Sequence, residues 1–127
     1  MAQDRPPIDD ILRTVRAYID EIVPKLEGEA RYHGQVSSYL LDMAERELLL
    51  GKDFDAKEQA ALSGFMGRDG TLPELTEALS AGIRRGDYDD RWDELLTILL
   101  EGVVDKVRIV KPNHLDPIHR PAEAAAR

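Results

Sequence analysis

Cysteine is absent from this chain of 127 residues. That excludes disulfides, cysteine nucleophiles and thiolate metal sites, and it fits a reducing compartment, the cytoplasm. Basic excess is missing too: 25 acidic residues against 17 basic ones give a formal charge of −8. Nucleic-acid binders need a basic face to displace counterions, and anionic membrane surfaces attract basic segments, so neither is an expected partner. No apolar run approaches the roughly 20 residues of a membrane span, and the stretch from Met1 to Pro7 lacks the apolar core of a signal peptide. No segment alternates with the period of a strand, and no internal repeat is visible.

What is present reads as helix. Hydrophobic residues make up 43% and charged residues 33%, the balance of a globular chain whose length suits one domain and one core. Ile8, Ile11, Leu12, Val15, Ile19, Ile22, Val23 and Leu26 recur at helical spacing, with Asp9 and Asp10 at the positive end of the dipole and Pro24 near the end. A second helix is predicted from near Glu29 to Leu50, with Tyr32, Val36, Tyr39, Leu40, Met43 and Leu50 as its stripe and Gly51 as its cap. A short third helix follows from about Asp55 to Phe65, and the glycine-rich stretch from Gly64 to Gly70 reads as a loop. Thr71-Leu72-Pro73-Glu74 matches a capping box, opening a fourth helix that Gly86 ends. A fifth runs from near Asp90 to Val110 on a stripe of Trp92, Leu95, Leu96, Leu99, Leu100, Val103, Val107 and Val110, stopped at Lys111-Pro112. The expectation is a single all-α domain, a bundle of four or five helices over residues 5–112. A proline-bearing tail, residues 113–127, is expected to be flexible or to lie against a partner.

Few residues suggest chemistry. At about 100° per residue, Arg46 and Glu47 flank the Val36/Met43 stripe, and Lys106 borders the stripe of the fifth helix, while Asp105 points nearly the opposite way. Charges beside a core stripe need partners, so a structural ion pair, Glu47 with Lys106, is the expected arrangement. His33 with Glu29, and His114 with His119, offer too few ligands for a metal site. Gly64 to Gly70 lacks the Gly-Lys-Ser/Thr ending of a phosphate loop. No catalytic residue, metal site or cofactor is therefore assigned. Ile98, Gly102 and Ile109 lie away from the main stripe of the fifth helix. Either that helix is buried on two sides, or this face meets another chain.

Two phrases carry a resemblance: Val36-Ser37-Ser38-Tyr39-Leu40-Leu41-Asp42-Met43-Ala44-Glu45-Arg46-Glu47-Leu48 and Val104-Asp105-Lys106-Val107-Arg108-Ile109-Val110-Lys111-Pro112. With Arg5-Pro6-Pro7 and Ile83-Arg84-Arg85-Gly86-Asp87, they resemble a small bacterial all-helical family of unknown function. Its members accompany kinases of the aminoglycoside-phosphotransferase fold and acyl-CoA dehydrogenase-like enzymes. One looks like the small accessory subunit of the 4-hydroxyacyl-CoA kinase of levulinate catabolism. Tyr39 stands where the family pattern usually has asparagine, which changes a contact surface. The resemblance implies a non-catalytic accessory subunit that binds and activates a phosphotransferase-like kinase acting on hydroxyacyl-CoA or a related small molecule. Such a chain is expected to have no activity alone and to dock through Ile98, Gly102 and Ile109. The alternative is a self-associating structural or regulatory module, a homo-oligomer without a kinase partner.

Overall fold

The computed structural model describes residues 7–119. Arg5 and Pro6 of the family phrase, and the tail beyond residue 119, lie outside the described residues. The fold is all-α, with no strand among the described residues. Four α-helices follow in order: α1 (Ile8–Ile22), α2 (Gly28–Met66), α3 (Leu72–Arg85) and α4 (Trp92–Val110). None of the described helices is long and apolar enough to cross a membrane.

The local signals explain most boundaries. Pro7 stands just before α1, and Asp9 and Asp10 occupy its first turn. Pro24 cannot continue the α ladder, so the chain tightens into a 3-10 turn over Val23–Lys25. Both halves of the Thr71/Glu74 capping box form, and Gly86, at φ 78, takes the left-handed cap of α3. Pro112 follows α4, and further 3-10 turns span Pro112–His114 and Pro117–His119.

One boundary is corrected. The predicted second and third helices are a single helix of 39 residues that runs through Gly51. A helical glycine costs about 1 kcal/mol relative to alanine, which is too little to interrupt a ladder flanked by good helix formers. The left-handed glycine that stops α2 is Gly67, at φ 64. There Gly67 N–H and Arg68 N–H both donate to Ser63 O, at 2.8 and 3.3 Å.

The chain divides into two compact units, residues 1–51 and 52–127. The first is a hairpin of α1 and the leading part of α2. Val23 and Leu26 lie over Gly34, where a Cβ would come within 2.8 Å of Val23 Cγ2. No residue of α1 is buried. Ile8, Val15 and Tyr18 on α1, and Tyr32 and Leu40 on α2, are all exposed.

The second unit packs the trailing part of α2 with α3 and α4. Leu62, Phe65, Leu75, Leu79 and Leu95 form its core, and Met66, Leu72, Ile83, Tyr88 and Ile98 close around it. Tyr88 tilts against Phe65, with ring centroids 5.0 Å apart. Arg91 caps the other side, its guanidinium carbon 4.0 Å from the Phe65 ring centre and its Nη1 donating to Phe65 O at 2.8 Å.

The rotation of α4 also differs from expectation. Its buried residues are Leu95, Asp105 and Ile109. Trp92, Leu96, Leu99, Leu100, Val103 and Val110, most of the predicted core stripe, are exposed. The inward face is therefore the one carrying Ile98, Gly102 and Ile109. Counting apolar residues favours the other side, because the inward side includes an aspartate.

Tyr88 yields a test. A Cβ on Gly82 would lie 2.4 Å from Tyr88 Cε2. Gly82→Ala gains about 1 kcal/mol of helix propensity but loses about 1–3 kcal/mol to overpacking. Its urea midpoint should fall. Gly64→Ala, where nothing lies within 4 Å of the new Cβ, should gain up to about 1 kcal/mol. A stabilised Gly82→Ala would contradict the Tyr88 packing.

Candidate functional site

Two buried carboxylates stand out, one in each unit: Glu45, 4% exposed, and Asp105, 6% exposed. Each is held by two cations. An unpaired buried carboxylate is costly, so these pairings constrain how the helices pack.

In the first unit, Arg13 of α1 lays two nitrogens on Glu45 Oε1: Nε donates at 2.9 Å and Nη2 lies at 2.9 Å. Glu45 Oε2 accepts no hydrogen bond among the described residues but faces Arg16 Nη1 at 3.5 Å. Arg16 also donates to Asp42, which takes a further bond from Arg46 one turn on. Asp20 accepts from Ser38. Arg13 is steadied from its own helix by Asp10 at 3.0 Å and Asp9 at 3.3 Å. Glu45 holds the Arg13 guanidinium above its ordinary range, first through the hydrogen bond and then through its charge. Arginine stays charged at any working pH, so the cation of this clamp is permanent.

In the second unit, Asp105 Oδ2 accepts from Lys57 Nζ at 3.0 Å and Oδ1 from Arg108 Nη1 at 2.7 Å. The trio forms one wall of an open cleft of about 540 Å³, whose other polar lining residues are Glu101, His114 and Asp116. Both fixed cations of this cleft contact Asp105, and three carboxylates, Asp105, Glu101 and Asp116, stand against the two of them. Glu101 and Asp116 then leave the lining negative, the wrong sign for a phosphate or a coenzyme A tail.

The residues singled out from the sequence fall as follows. Arg46 is largely buried and paired with Asp42. Glu47 is exposed, and Lys106, with 70% of its side chain exposed, is matched by Glu58 at 3.8 Å. The expected Glu47–Lys106 pair thus fails in its premise, since neither charge is buried; the buried acids are two residues before the one and one before the other. Ile98 packs on the core and Ile109 is buried. Gly102 is half-buried, and a Cβ there would sit 3.9 Å from Glu58 Oε1. Gly102→Glu would therefore set one carboxylate against another and report on the fold. His33 and Glu29 are exposed, with the His33 ring tilted against Tyr32. His114 is exposed at the cleft. Among the described residues no group of three or more His, Cys, Asp or Glu is arranged to hold a metal ion.

Arg13, Arg16, Asp42, Glu45, Lys57 and Arg108 were not singled out by sequence reasoning. A signal existed. Arg13/Arg16 and Asp42/Glu45 are like-charged pairs three residues apart, an arrangement that destabilises a lone helix. Two such pairs of opposite sign on successive helices imply that each answers the other.

The Asp105 clamp makes a non-additive prediction. Lys57→Met and Arg108→Met should each cost about 1–2 kcal/mol, because the other cation remains. Together they leave Asp105 unpaired and should cost about 3–5 kcal/mol, more than the sum of the single losses. Additive shifts in denaturant midpoint would show that the two cations act independently, and an unchanged midpoint in the double variant would show that Asp105 depends on neither.

A family profile described as a domain of unknown function (DUF6285) matches residues 24–114, and the chain belongs to that family. The match takes in α2, α3 and α4 and leaves out α1. No curated protein and no solved structure matches the chain.

Proposed function

We propose that this member of the DUF6285 family is a non-catalytic accessory subunit. In this reading it works in a bacterial cytoplasm, binding and activating a phosphotransferase-fold kinase that acts on hydroxyacyl-CoA or a related small molecule. The phrases around Glu45 and Asp105 support the reading through their resemblance to proteins that accompany such kinases.

One structural observation carries it furthest. Helix α1 has apolar residues at helical spacing, yet none is buried. Ile11, Leu12, Ile19 and Ile22 are half-buried, and the charged flank pairs Arg13 and Arg16 with Asp42 and Glu45 of α2. The open side offers Ile8, Val15 and Tyr18 to a partner, with Tyr18 64% exposed. An amphipathic helix presenting such a face is a recurring means of docking into an apolar groove. The dock moves from the inward residues Ile98 and Ile109 to α1. The substrate pocket and the phosphate chemistry then belong to the kinase, in keeping with a cleft whose cations are already engaged by Asp105.

The test is co-purification with a candidate phosphotransferase-fold kinase, followed by ATP consumption with and without this chain. The pair should co-elute, and the chain should raise turnover while consuming no ATP alone. Tyr18→Glu should weaken binding about tenfold or more, by placing a charge in an apolar contact. No complex and unchanged kinase turnover would reject the accessory role. Binding indifferent to Tyr18→Glu would reject α1 as the dock.

A further inference from the structure

The first unit has no apolar core. Among the described residues up to Gly51, only Glu45 and Gly51 are buried, and every buried apolar side chain lies in the second unit. What crosses from α1 to α2 is a ladder of polar rungs. Arg13 meets Glu45, Arg16 meets Asp42, and Asp20 accepts from Ser38. Successive rungs advance along α1 by three and then four residues, and recede along α2 by three and then four. That is the step of two antiparallel helices along one seam, with polar groups where a coiled coil carries apolar ones. Ile11, Leu12, Ile19 and Ile22 contribute only half-buried surface beside it.

Such a seam opens at low cost. An ion pair gains little net free energy, because the water its members lose offsets their attraction. When the helices part, both members regain water and no charge is left stranded. Arg13 keeps Asp9 and Asp10 of its own helix, and Asp42 keeps Arg46 of its own. The closed seam also holds a defect, since the buried Glu45 Oε2 accepts no hydrogen bond among the described residues. Segments with few buried apolar side chains open at a lower free energy than the whole fold. The connection between the helices is marked by Pro24 in its 3-10 turn, an extended Leu26 and Gly28 at φ 59. The family match begins at residue 24, in that turn, so it takes in the α2 side of the ladder and none of the α1 side.

We infer that α1 is a reversible latch, which opens about Pro24 while the second unit stays folded and so uncovers a docking site on α2 at Ser38, Asp42 and Glu45. The occupant is a helix of a partner protein that carries two arginines one turn apart beside apolar residues. Charge complementarity sets this choice: the two carboxylates lie three residues apart on α2, and each is met by one of two arginines three residues apart. While closed, α1 competes with such a helix, and its rungs are an autoinhibitory contact. The latch goes beyond the kinase reading, which uses the outer side of α1 and does not need the seam to open. Its assay contains no kinase.

Native-state hydrogen exchange of the full chain tests the opening. Amides of α1 should be protected about tenfold less, or weaker still, than those around Leu75 and Leu95. Arg13→Gln with Arg16→Gln should lower α1 protection by a further factor of about ten or more and leave α3 and α4 unchanged, which also shows that the variant folds. Protection of α1 equal to that of the second unit's core would overturn the latch. Unchanged α1 protection in the double variant would overturn the rungs as its fastening. A labelled synthetic peptide of residues 8–26 then probes the docking site. It should bind the double variant about tenfold more tightly than the wild type, whose own α1 competes at the high effective concentration of a tethered segment. The same peptide with Arg13→Glu and Arg16→Glu should not bind. Equal binding to both chains would overturn the autoinhibition, and binding by neither would overturn the docking site.

Discussion

Asp105 sets the rotation of α4, and much else follows from that rotation. A carboxylate taken out of water costs several kcal/mol unless its oxygens are met by cations or hydrogen-bond donors. Lys57, from α2, and Arg108, one turn further along α4, meet both oxygens of Asp105. With the aspartate anchored to α2, the residues about one, two and three turns before it, Gly102, Ile98 and Leu95, and one turn after it, Ile109, also point inward. Leu95 becomes fully buried and completes the core with Leu75. The richer apolar face is left outside.

Glu45 has the same effect in the first unit. Its pairing with Arg13 and Arg16 joins α1 to α2 along charged flanks, while Ile11, Leu12, Ile19 and Ile22 are half-buried and Ile8 and Val15 stay exposed. Ordinary amphipathic helices spend their apolar face on their own core. Here charge pairs do part of that work, and apolar surface remains for association.

The helices were legible wherever a local device marked their ends. Asp9 and Asp10, Pro24, the Thr71/Glu74 box, Gly86 and Pro112 each act within one turn, so their meaning survives without tertiary information. Gly51 was misread because a glycine caps a helix only in a left-handed conformation, and φ is not written in residue type. The facing of α4 was misread for a different reason. Apolar counting treats an aspartate as a mark of the outside, and it becomes a mark of the inside once Lys57, 48 positions away, is brought to it. The same non-local information separated Glu45 from the adjacent Arg46 and Glu47. Periodicity alone ranks those neighbours as better core-edge residues, whereas the match between Arg13/Arg16 and Asp42/Glu45 identifies the true pair.

The central claim is that the paired carboxylate Asp105 turns α4 so that its apolar stripe faces outward. Hydroxyl-radical footprinting of the isolated chain tests it most directly, because it reads side-chain accessibility residue by residue. The account predicts strong labelling of Trp92, Leu100 and Tyr18, with Leu95, Ile109 and Phe65 protected. Protection of Trp92 and Leu100 together with labelling of Leu95 and Ile109 would mean that α4 buries its apolar stripe after all, and the account would be contradicted.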